Sequence, residues 1–410
     1  MKGNEDVYHE DAVQFADFEW AFGLNRLSLD LIGVWPRENQ EDDFLRNTRI
    51  PFMISWMMFG LFLPQIYALT KVYQHLPLVV DNLITSCAAL VSSTKLFMIW
   101  RRRKVLQQVV SRTASDWSRE KTKVERKTML KQAARARLFT MSGYAVMFAC
   151  VLGFTTLPMF GLSIRVINNI TDGRRYFPLQ SSYPYDAEKS PYFELTYLSQ
   201  LIAGGFVGVS FSVPDNFFGA LVFHACAQCE ILERRLVQVM ACGNKQTIKL
   251  RLRSLVKMHV KLIRFVNAVE ISFNILILAH ITCLSVIIGC MAYSFIRSVE
   301  NDAENPPLIQ VLTLAASLVN LMMHMFVYCI ASEILVNNSS KFVEAIYQAT
   351  FYLYSGAYAK DVTIIMIRSQ SPLQLTAGKF FSLSLNTYLK FLKNTGAYIS
   401  MLLAVSSQNN

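Results

Sequence analysis

Charged residues are scarce for a chain of this length. Asp, Glu, Lys and Arg make up 17% of the 410 residues, whereas a soluble protein usually carries about a quarter. Apolar residues reach 53%, and the mean hydropathy is +0.30. The apolar residues are also gathered in long runs, which a water-facing fold could not hide. The composition therefore predicts an integral membrane protein in contact with lipid.

The sequence lacks the usual signals for secretion, catalysis and metal binding. The first 50 residues are polar and acid-rich, so we expect the first hydrophobic helix to act as an uncleaved insertion signal. No HExxH, GxSxG or phosphate-binding loop occurs, and no pair of intramembrane carboxylates is visible, so an enzyme is not expected. The pair Cys226 and Cys229 has redox or zinc spacing without a second pair, and we expect it to pack on a helix flank. We expect no cofactor, no bound metal and no external disulfide framework.

The net charge of +11 is concentrated in two basic segments. Thirteen Lys and Arg residues lie between Arg101 and Arg137, and a second group lies between Arg234 and Arg264. Both segments fall between hydrophobic runs, where a membrane protein keeps its cytoplasmic loops. This distribution indicates that the positive charge sets the membrane topology, and it excludes a nucleic-acid partner.

Seven stretches are long enough to cross about 30 Å of hydrocarbon. The fourth and fifth are too long for simple crossings and should continue into the cytoplasm as ordinary helices. The stretches are Pro51–Leu69, Leu78–Trp100, Leu138–Phe160, Tyr192–Leu232, Phe265–Phe295, Leu308–Ala331 and Phe380–Val405. The fold class is therefore an all-α membrane protein with seven transmembrane helices.

The basic segments also predict the orientation. The positive-inside rule places the N-terminus in the cytoplasm and, after seven crossings, the C-terminus outside. Asn169 begins a glycosylation sequon in a predicted outer loop, which agrees with this orientation. The segment Phe342–Tyr358 remains open between a short crossing and a buried cytoplasmic helix, and the residues favour the buried helix.

Several motifs, in order along nearly the whole chain, resemble those of the insect odorant-receptor family. They are Asn25-Arg26, Gly33-Val34-Trp35-Pro36, Tyr183-Pro184-Tyr185-Asp186, Ser190-Pro191-Tyr192, the series Asp215, His224, Gln228 and Leu232, then Glu333, Ser339, Ala345, Tyr347, Leu375-Thr376-Ala377-Gly378 and Thr387-Tyr388-Leu389-Lys390. Each motif alone is loose, but their common order and spacing are specific.

The resemblance implies a single receptor-channel domain over residues 1–410. Its parts would be a cytoplasmic segment (1–50), helices one to six (51–335), a cytoplasmic anchor helix (336–378) and a pore helix (379–405). Four subunits would surround one pore lined by the last helix. The chain would form a heterotetramer with an odorant co-receptor subunit in the plasma membrane of olfactory neurons, in contact with membrane lipid. A small volatile ligand would open a non-selective cation path.

The resemblance also places the odorant pocket in the outer half of the bundle, between helices two, three, four and six. Volatile ligands are small and mostly apolar, so affinity must come from shape and dispersion with few polar contacts. The candidate ligand-binding residues are Ser86, Met147, Val151, Phe154, Tyr197, Leu201, Gly204, Gly205, Leu318 and Met322. The Gly204-Gly205 pair could open space for a ligand or let two helices approach closely.

One face of the last helix has the pattern of a pore lining. Lys390, Asn394, Ala397, Met401 and Val405 follow helical steps of four, three, four and four. Lys390, Asn394 and Ala397 would line the pore, while Met401 and Val405 would form an apolar gate. Packing against neighbouring helices is the alternative for the gate pair.

Asp215 follows Pro214 inside the fourth hydrophobic stretch, where a lone carboxylate is costly. It could belong to a polar network buried between helices or to a water-facing site, and we favour the network. Two other functions remain as alternatives. A G-protein-coupled receptor would need an outside N-terminus and an Asp-Arg-Tyr-like triplet, whereas a gustatory receptor channel would share the architecture but not the co-receptor.

Overall fold

The computed structural model describes residues 2–35, 44–156, 177–240, 245–301, 308–348 and 357–408. Within these ranges the chain is almost entirely helical. The helices are α1 (Lys2–Ile32), α2 (Phe44–Met57), α3 (Leu63–Val72), α4 (Leu76–Arg101), α5 (Arg103–Trp117), α6 (Lys123–Thr156), α7 (Tyr192–Met240), α8 (Lys245–Asn301), α9 (Leu308–Gln348), α10 (Ala357–Ser369) and α11 (Leu385–Gln408). A π-turn over Met58–Phe62 joins α2 to α3, and two short strands, β1 (Thr376–Ala377) and β2 (Phe381–Ser382), form a hairpin.

Six helical stretches are long and apolar enough to cross a membrane. Each overlaps one of the first six predicted crossings, so the sequence located them correctly. They are Asn47–Val72, Leu76–Arg101, Lys123–Gly153, Tyr192–Val239, Thr247–Ile296 and Leu314–Gln348. The predicted seventh crossing corresponds to α11, whose 24 residues span about 36 Å but include Lys390 and Lys393.

The fourth and fifth crossings extend well beyond a bilayer, as predicted. α7 has 49 residues and α8 has 57, and neither is interrupted. Pro214 lies inside α7 without ending it. Both helices therefore reach from the membrane region into the basic part of the molecule.

The basic segment from Arg101 to Arg137, predicted as a loop, is mostly helical. α5 is amphipathic and buries Leu106, Val109 and Trp117 against the core, which explains why it folds. α6 begins with a capping box, in which the backbone N–H of Glu125 donates to Thr122 Oγ1 and the N–H of Thr122 donates to the Glu125 carboxylate. The charge pattern did not reveal this secondary structure.

The N-terminal motif closes helix α1. Gly33 has a positive φ of 84°, and the N–H of Val34 donates to the carbonyl of Leu29 at 2.8 Å. This is a glycine-based helix stop, which leaves Trp35 buried against the core.

The predicted anchor segment begins inside a continuous helix. Residues 336–348 prolong α9 without a break, and α10 follows after residues 349–356, which lie outside the described part of the chain. The ambiguous segment Phe342–Tyr358 is therefore described only up to residue 348 and again from residue 357.

The hairpin before α11 requires glycine at one position. Gly378 and Lys379 both have positive φ, as a tight type I′ turn demands. A Cβ on Gly378 would also lie 2.4 Å from a methyl carbon of Leu278 on α8. The hairpin is further tied to α8 because the N–H of Gly378 donates to the Asn274 carbonyl at 2.9 Å.

Candidate ligand cavity and buried ion pair

An apolar cavity of about 200 Å³ lies among the membrane helices. The π-turn, α4, α6, α7, α8 and α9 surround it. Its lining comprises Leu61, Ile84, Thr85, Ala88, Met147, Cys150, Val151, Pro178, Leu179, Gln200, Leu201, Gly204, Val207, Gly208, Phe211, Ser212, Ile287, Met291, Ser317, Asn320, Leu321 and His324. The walls are largely aliphatic, with polar groups toward both ends and along α9.

The segment 177–191 closes one end of the cavity through Gln200 on α7. Gln200 accepts a hydrogen bond from the Leu179 N–H at 3.2 Å and donates to the hydroxyl of Tyr183 at 3.0 Å. The segment is also fixed to α3, since the ammonium of Lys71 donates to Ser182 at 2.7 Å. Pro178 and Leu179 of this segment thus line the cavity, and the motif residue Tyr183 holds the segment to Gln200.

A buried ion pair lies beside the opposite end. The ammonium of Lys95 on α4 donates to both carboxylate oxygens of Asp215 on α7, at 2.7 and 2.8 Å. The two side chains are only 1% and 4% exposed. Lys95 also donates to the backbone carbonyl of Phe211 at 2.8 Å and lies 4.2 Å from the centre of its ring. Because Phe211 lines the cavity, the ion pair is one residue away from it.

Three further side chains surround Asp215. The hydroxyl of Tyr328 on α9 donates to the carboxylate, and His324 Nδ1 lies 3.4 Å from Asp215 Oδ2. His280 on α8 is fully buried beside them, and neither of its ring nitrogens has a hydrogen-bond partner among the described residues. The favoured interpretation of Asp215 as part of a buried polar network agrees with this arrangement.

Asp215, His280 and His324 could in principle hold a metal ion, because their ligand atoms lie within 4.8 Å of one another. However, the ammonium of Lys95 already contacts both carboxylate oxygens. A divalent cation would have to displace this ammonium, and the two positive charges would repel each other at close range. The geometry therefore favours an ion-pair network.

The structure brings four of the ten predicted ligand-binding residues to the cavity. Met147, Val151, Leu201 and Gly204 line it. Five others are not among the lining residues: Ser86 is buried within α4, Tyr197 stacks on Phe193, Leu318 and Met322 pack on the core, and Gly205 is not in the lining. The side chain of Phe154 and the sequon at Asn169 lie outside the described part of the structure.

The glycines of α7 divide between the two roles considered for the Gly204-Gly205 pair. A Cβ on Gly204 or Gly205 would meet no atom within 4 Å, so neither glycine is needed for close helix packing. A Cβ on Gly208 would lie 2.6 Å from a methyl carbon of Val151 on α6. Close approach of α6 to α7 thus depends on Gly208, while Gly204 leaves open space in the cavity.

The predicted pore face of α11 is exposed in the single subunit. Lys390, Asn394, Ala397 and Met401 are all exposed, and Met401 reaches 65%. Phe391, Thr395 and part of Leu392 instead pack inward on α8 and α9. The side chain of Val405 lies outside the described part of the structure.

α9 contacts both the cavity and the beginning of α11. Ser317, Asn320 and His324 on α9 line the cavity. Further along the same helix, the Phe326 ring lies 5.5 Å from that of Tyr388, and the Glu333 carboxylate accepts a 3.4 Å hydrogen bond from the Leu385 N–H.

Asp116, at the end of α5, links α5 to α7 and α8. It accepts a hydrogen bond from Lys261 on α8 at 2.6 Å and lies 3.4 Å from His224 on α7. Burial alone would raise the pKa of the Asp116 carboxyl. Its hydrogen bonds to His224 and Lys261, together with the charges of these two residues, hold that pKa below its usual value. His224, noted in the sequence series, therefore serves a structural contact.

Sequence reasoning missed Lys95 and the polar residues of α9. Lys95 is an ionisable residue inside a predicted crossing, the same signal that identified Asp215. Ser317, Asn320 and His324 recur at helical spacing in an apolar helix, a pattern that could have shown which face meets the cavity.

Membrane-length helices around an apolar cavity, which is covered at one end and has a buried ion pair beside it, are the architecture of a multi-helix membrane receptor for small molecules. The family model described as 7tm Odorant receptor matches residues 75–396. The chain therefore belongs to this odorant receptor family, as the sequence motifs predicted.

The chain is similar to several curated relatives and solved structures. It is 22% identical to Odorant receptor 10a of Drosophila melanogaster, over 93% of this chain and 95% of that one. It is 26% identical to the Odorant receptor coreceptor of Aedes aegypti, over 36% of this chain and 30% of that one. The olfactory receptor OR5 of Machilis hrabei, solved in complex with eugenol, has the same fold, with a TM-score of 0.80, 17% identity and coverage of 96% and 99%.

Proposed function

We propose that this receptor binds small volatile molecules in the cavity and thereby opens a non-selective cation pore lined by α11. One observation carries the proposal: α9 lines the cavity and, further along, holds the beginning of α11. A ligand that changes the position of α9 thus acts on the pore helix through a continuous element. The chain is the odorant-sensing subunit of a ligand-gated channel.

The cavity suits a small apolar ligand. An apolar cavity of roughly 150 Å³ already accommodates a benzene-sized molecule, and this cavity measures about 200 Å³. Aliphatic side chains such as Val151, Leu201 and Leu321 would contribute dispersion contacts. Selectivity would come from the shape of the walls and from the few polar groups at the ends.

Opening requires that the ligand bind one state of the bundle more tightly than the other. Close packing at Gly208 and Val151 restrains α6 against α7 on one side of the cavity. On the other side, α9 contacts the ligand space through Ser317 and Leu321 and contacts α11 through Phe326 and Glu333. A ligand that favours an expanded cavity would shift α9, and α11 would follow.

The pore would form where four α11 helices meet. The face with Lys390, Asn394, Ala397 and Met401 is exposed in the single subunit and is free to meet three other copies of the helix. Met401 and Val405 would form the apolar gate, while Lys390 would lie in a wet inner vestibule. The partner is an odorant co-receptor subunit, and the assembly is a heterotetramer in the plasma membrane of olfactory neurons.

We propose that the N-terminus lies in the cytoplasm and the C-terminus outside. Helix α1 packs on the basic side of the molecule: Asp17 forms an ion pair with Arg126 at 2.6 Å, and the Trp20 carbonyl accepts a hydrogen bond from Arg137. Because basic segments stay in the cytoplasm, these contacts support a cytoplasmic N-terminus.

Co-expression with and without the co-receptor tests the function. Cells that carry both subunits should show an inward cation current on addition of a volatile ligand, and cells that carry this chain alone should not. A ligand-gated current of equal size without the co-receptor would favour the gustatory type of channel. A tag on Asn410 that antibodies cannot reach on intact cells would contradict the proposed orientation.

A further inference from the structure

A stripe of polar side chains runs along one face of α9. Ser317, Asn320, His324 and Tyr328 follow steps of three, four and four residues, so they lie above one another on the helix. The first three line the cavity, and Tyr328 donates to Asp215. Polar groups in a membrane helix are costly unless they have a partner or a function. The stripe gives the apolar cavity its polar inner side.

The network around Asp215 fixes the chemistry of His324. Its Nδ1 lies 3.4 Å from a carboxylate oxygen, which can only accept a hydrogen bond, so this contact favours the tautomer with the proton on Nδ1. The negative charge of Asp215 is already balanced by the ammonium of Lys95. In a neutral imidazole the second nitrogen, Nε2, is then a hydrogen-bond acceptor. Among the described residues, Nε2 has no partner within hydrogen-bond distance.

Asn320 offers a second acceptor. Its Nδ2 lies 3.8 Å from Cys150 Sγ across the cavity, in the position of a donor to sulfur. The amide oxygen of Asn320 has no hydrogen-bond partner among the residues that the structure describes. Asn320 and His324 are one helical turn apart on the wall of the same cavity. Two neighbouring acceptors thus face a space that otherwise offers mostly aliphatic contacts.

We propose that this inner side recognises a hydroxyl group, so that the preferred ligands are small alcohols or phenols with an apolar body. The hydroxyl hydrogen would be donated to His324 Nε2 or to the Asn320 amide oxygen, while the hydrocarbon part fills the aliphatic walls. Ethers, ketones and esters have no hydrogen to donate, and they would leave both acceptors unpaired. This inference rests on the proposed odorant-sensing function and specifies its ligand class.

Matched ligands test the inference in the unaltered receptor. Cells that express this chain and the co-receptor are exposed to an alcohol, its methyl ether and the hydrocarbon of the same shape. The alcohol should open the current at a concentration about tenfold lower than the ether, which is the effect of one net hydrogen bond. Equal potency of alcohol and ether, or higher potency of a matched ketone, would overturn the hydroxyl preference.

Two variants assign the effect to the stripe. His324→Phe keeps a ring against Phe211, and Asn320→Leu keeps approximate volume, while each removes one acceptor. In the double variant, which lacks both acceptors, the advantage of the alcohol should shrink to about twofold or less, because nothing remains on this wall to accept the hydroxyl hydrogen. Val319→Ala, at an exposed position of α9 outside the cavity lining, is the control and should retain the full advantage. An alcohol advantage that persists in the double variant would overturn the assignment.

The outcomes separate this inference from the proposed function. Surface labelling shows which variants reach the membrane. If a variant does not reach it, the ligand comparison in the unaltered receptor remains the test of the hydroxyl preference. A receptor that responds equally to alcohols and ethers retains the proposed function and loses only the hydroxyl preference. A surface-expressed receptor that responds to no volatile ligand in the presence of the co-receptor would refute both.

Discussion

Lys95 and Asp215 form a bidentate ion pair between α4 and α7 that is almost completely shielded from solvent. Transfer of two charges from water into the protein interior costs free energy. Their mutual attraction offsets this cost only while both charges are present. The aromatic ring of Phe211 and the hydroxyl of Tyr328 complete their surroundings. Variants of this pair therefore test how the polar side of the cavity is held in place.

Removal of one partner of this pair should destabilise the receptor far more than removal of both. Lys95→Met alone leaves a buried carboxylate without a counter-ion, and we expect a loss of about 3–5 kcal/mol and little surface expression. The double variant Lys95→Met with Asp215→Leu should recover most of the stability. Thermal unfolding of the detergent-solubilised protein measures both. Equal losses in the single and double variants would contradict a coupled pair.

Gly204 should control access to the cavity, and Gly205 supplies a matched control. A leucine at position 204 would extend into the ligand space, whereas a leucine at 205 would not, although a Cβ meets no atom at either position. Gly204→Leu should raise the half-maximal ligand concentration more than about tenfold, because displaced dispersion contacts cannot be recovered. Surface labelling and dose–response curves of both variants decide the matter. Similar curves for both would place the ligand elsewhere.

Gly208 should be intolerant of even one methyl group. Its Cβ would lie 2.6 Å from Val151, so Gly208→Ala forces α6 away from α7 at a cost of about 1–3 kcal/mol. Val151→Ala removes the opposing methyl groups, and the double variant should regain stability. The unfolding temperatures of the two single variants and the double variant form the test. Additive losses would show that the two residues do not compete for the same space.

Met401→Ala and Val405→Ala should raise the current in the absence of ligand. A narrower apolar side chain widens the constriction and lets water enter it. Leu389→Ala is the control, because Leu389 is similarly exposed but lies about 120° around the helix from Met401. Resting current and ion selectivity are measured in cells that carry the co-receptor. A leak of equal size from the control variant would argue for general loosening of α11.

Asp116 should make the junction of α5, α7 and α8 sensitive to acid. Since its pKa is lowered in the folded protein, the ionised carboxylate stabilises the fold above its usual pKa, and this stability is lost as the pH falls through the lowered value. Asp116→Asn should cost about 1 kcal/mol at neutral pH. The difference in unfolding temperature between the unaltered protein and the Asp116→Asn variant should disappear as the pH falls below roughly 4. A gap that stays constant with pH would mean that charge is not the cause.

The membrane helices could be located from the sequence because lipid imposes a simple requirement on length and polarity. Residues such as Pro51 and Trp100 mark limits that the structure reproduces within a few residues. The helical state of Arg103–Trp117 could not be separated from a basic loop, because its apolar face is short and its charges dominate the composition. Local capping at Thr122 and Glu125 was the available signal for the start of α6.

The cavity was only partly predictable. Met147, Val151, Leu201 and Gly204 were assigned to the cavity by helix and depth, and they line it. Tyr197 and Met322 were assigned in the same way, but the rotation of each helix directs them to other contacts. Rotation depends on packing between distant segments, for example the approach of Gly208 to Val151. A single sequence carries no direct record of that approach.

The turn at Gly378 has a geometric consequence for the channel. Thr376, just before this turn, and Gly378, within it, are hydrogen-bonded to Glu270 and Asn274 of α8, only a few positions before α11 begins. An α-helix turns by about 100° for each residue, so a single residue inserted in the first turn of α11 would rotate every later side chain by that angle relative to this attachment. The spacing between this attachment and the start of α11 therefore decides which side chains would face a passing ion.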